Sequence, residues 1–222
     1  MAFSVPSDLL QGSGPGPGTR WYPPTERWRG LESLDWVQPQ ASLHKLTTFR
    51  VGGQADWLAI PRSLQEMQMT FQQAAVAQVP ITLLGAGSNL LISDDGIRGL
   101  VICTRRVRKT EFDEAKGQIT VAAGEPLPTV AWKVAKRGWR GLEWAAGIPG
   151  TIGGAVVMNA GAHGGCASEQ LVSVTVIDPQ RGVVQLTPKD LGFRYRTSAL
   201  QDAGVVVLEA TFQLDPHHDS AA

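Results

Sequence analysis

Two glycine-rich stretches of the sequence can present backbone amides to a phosphate group. The first, Gly85-Ala86-Gly87-Ser88-Asn89, directly follows the apolar run 81–84, which predicts a loop at the end of a buried strand. Glycine permits positive φ and close approach of a ligand, so the N–H groups of this loop can converge on a pyrophosphate. The loop lacks the third glycine of the dinucleotide fingerprint, where Leu90 stands, and the Gly-Lys-Ser/Thr of a P-loop. A structural turn between strands has the same composition, so the loop alone does not decide its role.

The second stretch, residues 147–162, keeps small residues from a turn into a predicted short helix. Small side chains let a large ligand come close to the backbone. Pro149 and Thr151 are typical of a helix start, where free amides and the helix dipole favour an anion. Tight packing of the helix on a sheet requires the same small residues, and this segment alone does not separate the two interpretations.

Composition argues against nucleic-acid and membrane partners. The 222 residues are 43% hydrophobic, and 20 Lys and Arg balance 20 Asp and Glu, so the formal net charge is 0. The uncharged run between Glu143 and Glu169 is long enough to span a bilayer, but glycines, Pro149 and Asn159 interrupt it. We therefore expect a soluble globular chain with small-molecule ligands.

The cysteines suggest a reducing environment. The sequence has 2 of them, Cys103 and Cys166, and they lack the close spacing of a zinc or thioredoxin-type pair. Two reduced thiols suit the cytosol, and the N-terminus shows no secretory signal. We therefore expect a cytoplasmic location and predict no metal site.

The predicted elements mix strands and helices without strict alternation, which favours an α+β fold over a doubly wound sheet. Ser63 and Glu66 have capping-box spacing at the start of a helix. The core face of this helix carries Leu64, Met67, Phe71 and Ala74. A second helix runs through residues 130–135 and ends near Gly138. Strands are predicted over residues 56–60, 81–84, 100–102, 119–122, 171–177, 183–187 and 205–214.

We divide the chain into four parts. Residues 1–38, rich in Gly and Pro over most of their length, are expected to be a flexible N-terminal extension. Residues 39–106 and 107–214 are expected to form two subdomains, because the charged stretch from Arg105 to Lys116 is typical of an exposed connection. Residues 215–222 are expected to be a polar tail.

Four motifs of the sequence, taken in order, carry a resemblance to a known family. They are Thr48-Phe49-Arg50-Val51-Gly52-Gly53-Gln54-Ala55-Asp56, Leu84-Gly85-Ala86-Gly87-Ser88-Asn89-Leu90-Leu91, Gly141-Leu142-Glu143-Trp144-Ala145-Ala146-Gly147-Ile148-Pro149-Gly150-Thr151-Ile152-Gly153-Gly154 and Phe193-Arg194-Tyr195-Arg196-Thr197-Ser198. These motifs resemble those of the UDP-N-acetylenolpyruvoylglucosamine reductase family, and the resemblance covers about residues 40–214.

The resemblance implies the two-subdomain FAD-binding fold of the vanillyl-alcohol-oxidase (PCMH-type) group, with FAD held non-covalently between the subdomains. In the family's reaction NADPH reduces the flavin, and the flavin reduces the enolpyruvyl group of a UDP-sugar to UDP-N-acetylmuramate for peptidoglycan. The resemblance assigns cofactor binding to Arg50, Gly85, Ala86, Gly87, Ser88, Asn89, Leu90, Gly147, Ile148, Pro149, Gly150, Thr151, Gly153, Gly154, Asn159, Gly161 and Ala162.

The same resemblance implies that Arg196 is catalytic and that Tyr195 lies by the flavin and substrate. Hydride addition builds negative charge beside the substrate carboxylate, so a fixed cation there favours the transition state. Lysine is not expected to replace Arg196 well. His163 and Cys166 resemble residues that attach flavin covalently in some oxidases of the wider group, but the family has no such bond and none is expected.

The end of the chain marks a departure from the family. Complete members continue into a substrate-binding domain that supplies a serine acid and a glutamate, whereas this chain stops at Ala222. We expect a truncated, fragmentary or split protein that binds FAD and turns over poorly, and a split protein would be completed by a separate C-terminal domain. Two alternatives remain open, a catalytically incomplete FAD-binding fragment and a flavin oxidase of the same fold group.

Overall fold

The computed structural model of the chain describes residues 29–216. The chain divides into two compact units, unit 1 spanning Met1–Arg106 and unit 2 spanning Val107–Ala222. Most of the predicted extension, residues 1–28, and most of the predicted tail, residues 217–222, lie outside the described residues.

Unit 1 is built on a four-stranded sheet. Its elements are α1 (Arg29–Glu32), β1 (Val37–Ser42), β2 (Gln54–Ala59), α2 (Leu64–Val76), β3 (Ile81–Leu84) and β4 (Ile97–Cys103). The strand order is β1-β2-β4-β3, with β4 parallel to both of its neighbours and β1 antiparallel to β2. The continuous apolar run Leu100–Cys103 is buried, as is typical of a central parallel strand.

Helix α2 begins where its capping residues predict. The Ser63 hydroxyl accepts a hydrogen bond from the Glu66 amide at 3.1 Å, which satisfies one of the free donors of the first turn. Met67, Phe71 and Ala74 are buried on the face that the spacing predicts, and Leu64 is half-buried at its edge. Helix α2 connects two strands that flank β4, and its Ala74 shares an apolar cluster with Trp57 and Leu100 of the sheet.

The first described residues belong to the fold of unit 1. Leu31 of α1 is fully buried, and it packs in one core cluster with Leu34, Trp57 and Leu100. Residues 29–38, which the sequence places in a flexible extension, therefore form α1 and the start of β1. A single buried leucine on one turn of helix carries too little periodicity to reveal this packing in the sequence.

Unit 2 is built on an antiparallel five-stranded sheet. Its strands are β5 (Thr110–Asp113), β6 (Gln118–Ala122), β9 (Leu171–Asp178), β10 (Gly182–Leu186) and β11 (Val206–Gln213), in the order β10-β9-β11-β6-β5. Between β6 and β9 the chain forms α3 (Leu127–Lys136), α4 (Ile152–Val157), the short hairpin β7 (Gly161–Ala162) and β8 (Gly165–Cys166), and α5 (Ala167–Gln170). The predicted β9–β10 hairpin is confirmed. Helix α4 packs on β6 and β11 around the largest apolar cluster of this unit.

The charged stretch 105–116 is not the exposed connection that its composition predicts. Val107 is 1% exposed, and Thr110–Asp113 form strand β5 at the edge of the sheet of unit 2. The charges of this edge strand and its turn lie in surface pairs, such as Lys116 with Asp113 at 2.9 Å. Charged side chains are common on edge strands because they prevent pairing with other chains, which explains the misleading composition.

We expect Leu31→Ala to lower the free energy of unfolding by about 2 to 5 kcal/mol, because the substitution empties a fully enclosed site in the core of unit 1. Urea denaturation followed by tryptophan fluorescence measures the change. The matched control is Leu91→Ala, which removes the same atoms from a side chain that is 75% exposed, and should shift stability by less than about 0.5 kcal/mol. Equal stability of the two variants would contradict the placement of Leu31.

Candidate functional site

The loop after β3 has its carbonyl oxygens bound by the protein. The guanidinium of Arg105 donates from Nε to Gly85 O at 3.0 Å, and Nη2 donates to Ala86 O. Nη2 also donates to Leu46 O at 2.6 Å, and the Thr48 amide donates to Gly87 O at 3.0 Å. The carbonyl groups of three successive loop residues are therefore engaged by neighbouring parts of unit 1.

This arrangement turns two loop amides away from the Arg105 guanidinium. In a trans peptide the C=O and the following N–H point in opposite directions, and the described chain has no cis peptide bond. The amides of Ala86 and Gly87 consequently point away from Arg105, and within residues 29–216 they donate to no acceptor. Gly87 is buried, and a buried amide without a partner is uncommon in folded proteins. Two neighbouring donors of this kind can bind an anion.

Gly87 is required by the backbone itself. Its φ is +67°, and a Cβ at this position would lie 2.1 Å from Leu46 O. The loop is packed against the turn 47–50, in which the Arg50 amide donates to Thr47 O at 3.3 Å. The structure thus brings Arg50, itself at φ +55° and exposed, into the same part of unit 1 as the predicted loop residues Gly85 to Leu90.

Part of the second glycine-rich stretch is already bonded or packed within the chain. Helix α4 starts after Thr151, as predicted, but the amides of Ile152 and Gly153 donate to Glu125 O and Ala123 O, each at 2.9 Å. The expectation of free amides at this helix start is wrong for these two residues. A Cβ on Gly153 would lie 3.0 Å from the Ala123 Cβ, so Gly153 serves the close packing of α4 on the end of β6. Ile148 packs on the apolar core of unit 2.

Two other glycines of this stretch are not required by packing within the chain. A Cβ on Gly147 would meet no atom within 4 Å, and one on Gly154 would meet only the Thr151 hydroxyl at 3.6 Å, an ordinary contact. Neither residue has positive φ, and both are exposed. Alanine would suit α4 better than Gly154 by about 1 kcal/mol. Nothing within the chain therefore excludes a side chain at either position.

A pocket of about 440 Å³ lies at the β7–β8 hairpin of unit 2. It brings together five predicted site residues from distant parts of the chain, and His163, Cys166 and Glu169 also line it. The five are Asn159, Gly161, Ala162, Tyr195 and Arg196. Gly147, Ile148, Pro149, Gly150, Thr151, Gly153 and Gly154 do not line this pocket.

Arg196 projects its side chain from a short, well-bonded turn. The backbones of Arg194 and Thr197 exchange hydrogen bonds of 3.1 and 3.2 Å, and Gln201 Nε2 donates to Arg196 O at 3.2 Å. The guanidinium donates from Nη2 to Gly161 O at 2.7 Å, and its Cζ lies 5.6 Å from the centre of the Tyr195 ring. Further N–H groups of the guanidinium are left to donate to a ligand in the pocket.

The side chain of Asn159 is hydrogen-bonded to that turn. Its side-chain Nδ2 donates to Arg194 O at 3.0 Å, and its Oδ1 accepts from the Ser168 amide at 3.1 Å. The residue is 8% exposed and has φ +41°, a conformation that asparagine tolerates better than most residues. Because both side-chain groups are bonded to the protein, Asn159 positions the turn that carries Tyr195 and Arg196.

Several residues with a structural role in these sites were missed by the sequence interpretation. Arg105 was assigned to an exposed connection, and Ser168 and Glu169 were not assigned any role. Glu125 is 5% exposed and pairs with Lys133 at 2.9 Å beneath the start of α4. Only the run Gly124-Glu125-Pro126, a turn signal before α3, marks this position in the sequence.

The described part of the chain lacks the features of a metal site and of a membrane span. Residues 29–216 contain no cluster of His, Cys, Asp and Glu that could hold a metal ion. No helix within those residues has the length and apolar character to cross a membrane.

The chain is similar to known FAD-binding proteins. A family model described as an FAD binding domain matches residues 55–187. A UDP-N-acetylenolpyruvoylglucosamine reductase from Synechocystis sp. is 56% identical over 182 residues, which make up 81% of this chain and 57% of that protein. The resemblance that the motifs indicate is confirmed, and the chain spans well under two thirds of that relative's length.

Solved structures give the same fold. The crystal structure of UDP-N-acetylenolpyruvylglucosamine reductase from Thermus caldophilus is 34% identical, with a TM-score of 0.67, covering 81% of this chain and 62% of that one. An alkyldihydroxyacetonephosphate synthase is 20% identical with a TM-score of 0.62, covering 96% of this chain and 43% of that one. The predicted α+β fold of the FAD-binding group is confirmed.

We expect iodoacetamide at near-neutral pH to alkylate Cys166 and to spare Cys103 in the folded chain. Cys103 is 1% exposed, and burial raises the pKa of its thiol, so both access and the thiolate fraction are low. Cys166 lines the pocket of unit 2. Peptide mass spectrometry after a timed reaction measures the labelling, with chain unfolded in urea as the control that labels both. Equal labelling of the two cysteines in the folded chain would contradict this prediction.

Proposed function

The chain belongs to the family of FAD-binding domains, and we propose that it binds FAD non-covalently for the NADPH-dependent reduction of UDP-N-acetylglucosamine enolpyruvate to UDP-N-acetylmuramate. The observation that carries the proposal is the pair of adjacent amides at Ala86 and Gly87, which have no acceptor in the described chain. Their loop is the one that the family motif assigns to the diphosphate. The activity of the complete relatives is a proposal for this chain, because it spans only 57% of the length of the Synechocystis protein.

The loop of unit 1 suits the FAD diphosphate on chemical grounds. Its two amides are neutral donors on a rigid backbone, and backbone nests of this kind bind phosphate oxygens without a lysine. Arg50 lies exposed on the neighbouring turn and supplies a positive charge that an anionic ligand can use. We propose that Gly85 to Leu90 hold the diphosphate, with Arg50 at the edge of this site.

In unit 2, Gly147 and Gly154 fit the approach of a large planar or phosphorylated group. Their Cβ positions are open, so the backbone can come within van der Waals distance of a ligand. Gly153, in contrast, already packs on Ala123, because a Cβ built on it would lie 3.0 Å from the Ala123 Cβ. We propose that the exposed side of residues 147–154 contacts FAD, whereas their inner side holds α4 on β6.

When bound, FAD would supply the hydride chemistry, taking a hydride from NADPH and delivering one to the enolpyruvyl double bond. The chain's own contribution is orientation and charge. Arg196 is held by Gly161 O and by its turn, so its guanidinium stays in the pocket without reorganisation when negative charge develops on the substrate. We propose that Arg196 binds the carboxylate of the enolpyruvyl group and that Tyr195 flanks it.

The cellular setting follows from this chemistry as part of the proposal. The substrates are a nucleotide sugar and NADPH, and the described cysteines are both free. Reduced thiols and these substrates suit the cytoplasm, and the reaction would contribute to peptidoglycan precursor synthesis. A small-molecule UDP-sugar is the proposed partner.

Visible absorption tests the proposal directly. FAD added to the purified chain should give a shifted flavin spectrum, and acid precipitation should release all of the flavin to the supernatant. Addition of NADPH should bleach the flavin band, and the enolpyruvyl sugar should then restore it slowly under anaerobic conditions, because the chain is expected to turn over poorly. Flavin that stays with the precipitated protein would favour the oxidase alternative, and a chain that leaves the FAD spectrum unchanged would refute FAD binding.

We expect Gly154→Ala to stabilise the fold and to weaken FAD binding. The added methyl group has room and favours the helix by about 1 kcal/mol, but it would stand where the ligand approaches. Gly153→Ala is the matched comparison. Its methyl group meets Ala123, so it should lower the free energy of unfolding by about 1 to 3 kcal/mol. Urea denaturation and FAD titration measure both quantities, and unchanged FAD affinity in Gly154→Ala would contradict the proposed contact.

We expect Arg196→Lys to weaken binding of the enolpyruvyl sugar to the FAD-loaded chain by about tenfold or more, because one ammonium cannot bond both Gly161 O and a carboxylate in the geometry of a guanidinium. Titration of the flavin spectrum with the sugar measures the affinity. Arg194→Lys is the control, since it makes the same change at an exposed neighbour that does not line the pocket. Equal affinities of the two variants would contradict the role of Arg196.

A further inference from the structure

The side chain of Arg105 is committed to backbone oxygens. Its guanidinium donates to Gly85 O, Ala86 O and Leu46 O, three carbonyl groups from two separate segments of unit 1. A guanidinium has five N–H donors in one plane and no acceptor, so it is suited to bridging several carbonyl oxygens at once. The side chain is half-buried at the end of β4.

The contacts of Arg105 determine the orientation of the loop amides. Each loop carbonyl that Arg105 binds fixes the opposite direction for the next N–H, which belongs to Ala86 or Gly87. The bond to Leu46 O also ties the loop to the segment that carries Thr48, whose amide holds Gly87 O. Without the guanidinium, the Gly85 and Ala86 carbonyl groups would have to find other donors, and the simplest way is to rotate their peptide planes.

We infer that Arg105 is a positioning residue for the diphosphate loop: it holds the loop carbonyl groups so that the amides of Ala86 and Gly87 face the anion. This inference rests on the proposed FAD function. Arg105 acts through the backbone, and its positive charge lies behind the loop carbonyls. Its planar set of donors matters more than its charge.

The test compares Arg105→Lys and Arg105→Ala with Arg106→Ala. Arg106 is exposed and adjacent, so its removal deletes the same charge without loss of a loop contact. Both Arg105 variants should bind FAD about 10- to 100-fold more weakly than the wild type, and Arg106→Ala should bind within about twofold. Millimolar methylguanidinium should restore FAD affinity in Arg105→Ala. Arg105→Lys keeps the charge and most of the side-chain volume, so its FAD affinity tests the inference even if the alanine variant does not fold.

Wild-type affinity in Arg105→Lys would overturn the inference, because charge alone would then suffice. A loss of affinity in Arg106→Ala equal to that in Arg105→Ala would overturn it as well.

Hydrogen exchange without flavin separates the inference from the proposed function. The Thr48 amide, which donates to Gly87 O, should be protected in the wild type and should exchange faster in both Arg105 variants. If the wild type does not bind FAD but this protection is lost on substitution, the proposed function is wrong and the positioning role stands. Unchanged protection of Thr48 in both variants would overturn the positioning role, whatever the FAD affinity.

Discussion

The hydrogen bonds from Arg105 and Thr48 to the carbonyl oxygens of Gly85, Ala86 and Gly87 are the interaction on which the account depends. They leave two adjacent amides, those of Ala86 and Gly87, pointing away from Arg105 without an acceptor in the described chain. A protein that folds with a buried amide in this state gives up stability that an anionic ligand can restore. The conformation also requires glycine at residue 87, since Leu46 O occupies the place of a side chain.

In unit 2, hydrogen bonds likewise hold the predicted site residues in place. Asn159 and Gly161 hold the turn and the guanidinium of Arg196, so a charged group is kept in the pocket by bonds to backbone atoms. Non-glycine residues with positive φ are frequent in the two candidate sites. Of the non-glycine residues with positive φ in residues 29–216, Arg50, Asn159 and Arg196 are predicted site residues, and His163 lines the pocket. Residues in this conformation persist where surrounding contacts over-determine them, which is common at functional sites.

Local patterns predicted much of the fold, and tertiary contacts explain what they missed. The cap at Ser63, the buried face of α2 and the β9–β10 hairpin depend on residues close in sequence, and these predictions are confirmed. The roles of Arg105 and Gly153 depend on which backbone atoms lie opposite them, and no spacing rule gives that information. Leu31 was missed because one apolar residue on a four-residue helix has no periodicity. The motifs indicated the candidate residues, but they did not distinguish amides that are open from amides already bonded within the fold.

The most direct measurement is the amide spectrum of isotopically labelled chain during titration with FAD. The account predicts that the proton resonances of Ala86 and Gly87 move downfield as FAD is added, because both amides gain a charged acceptor. The amides of Ile152 and Gly153, which already donate to Glu125 O and Ala123 O, should keep their hydrogen bonds and shift much less. FAD binding that leaves the Ala86 and Gly87 resonances in place would contradict the claim that these two amides hold the diphosphate.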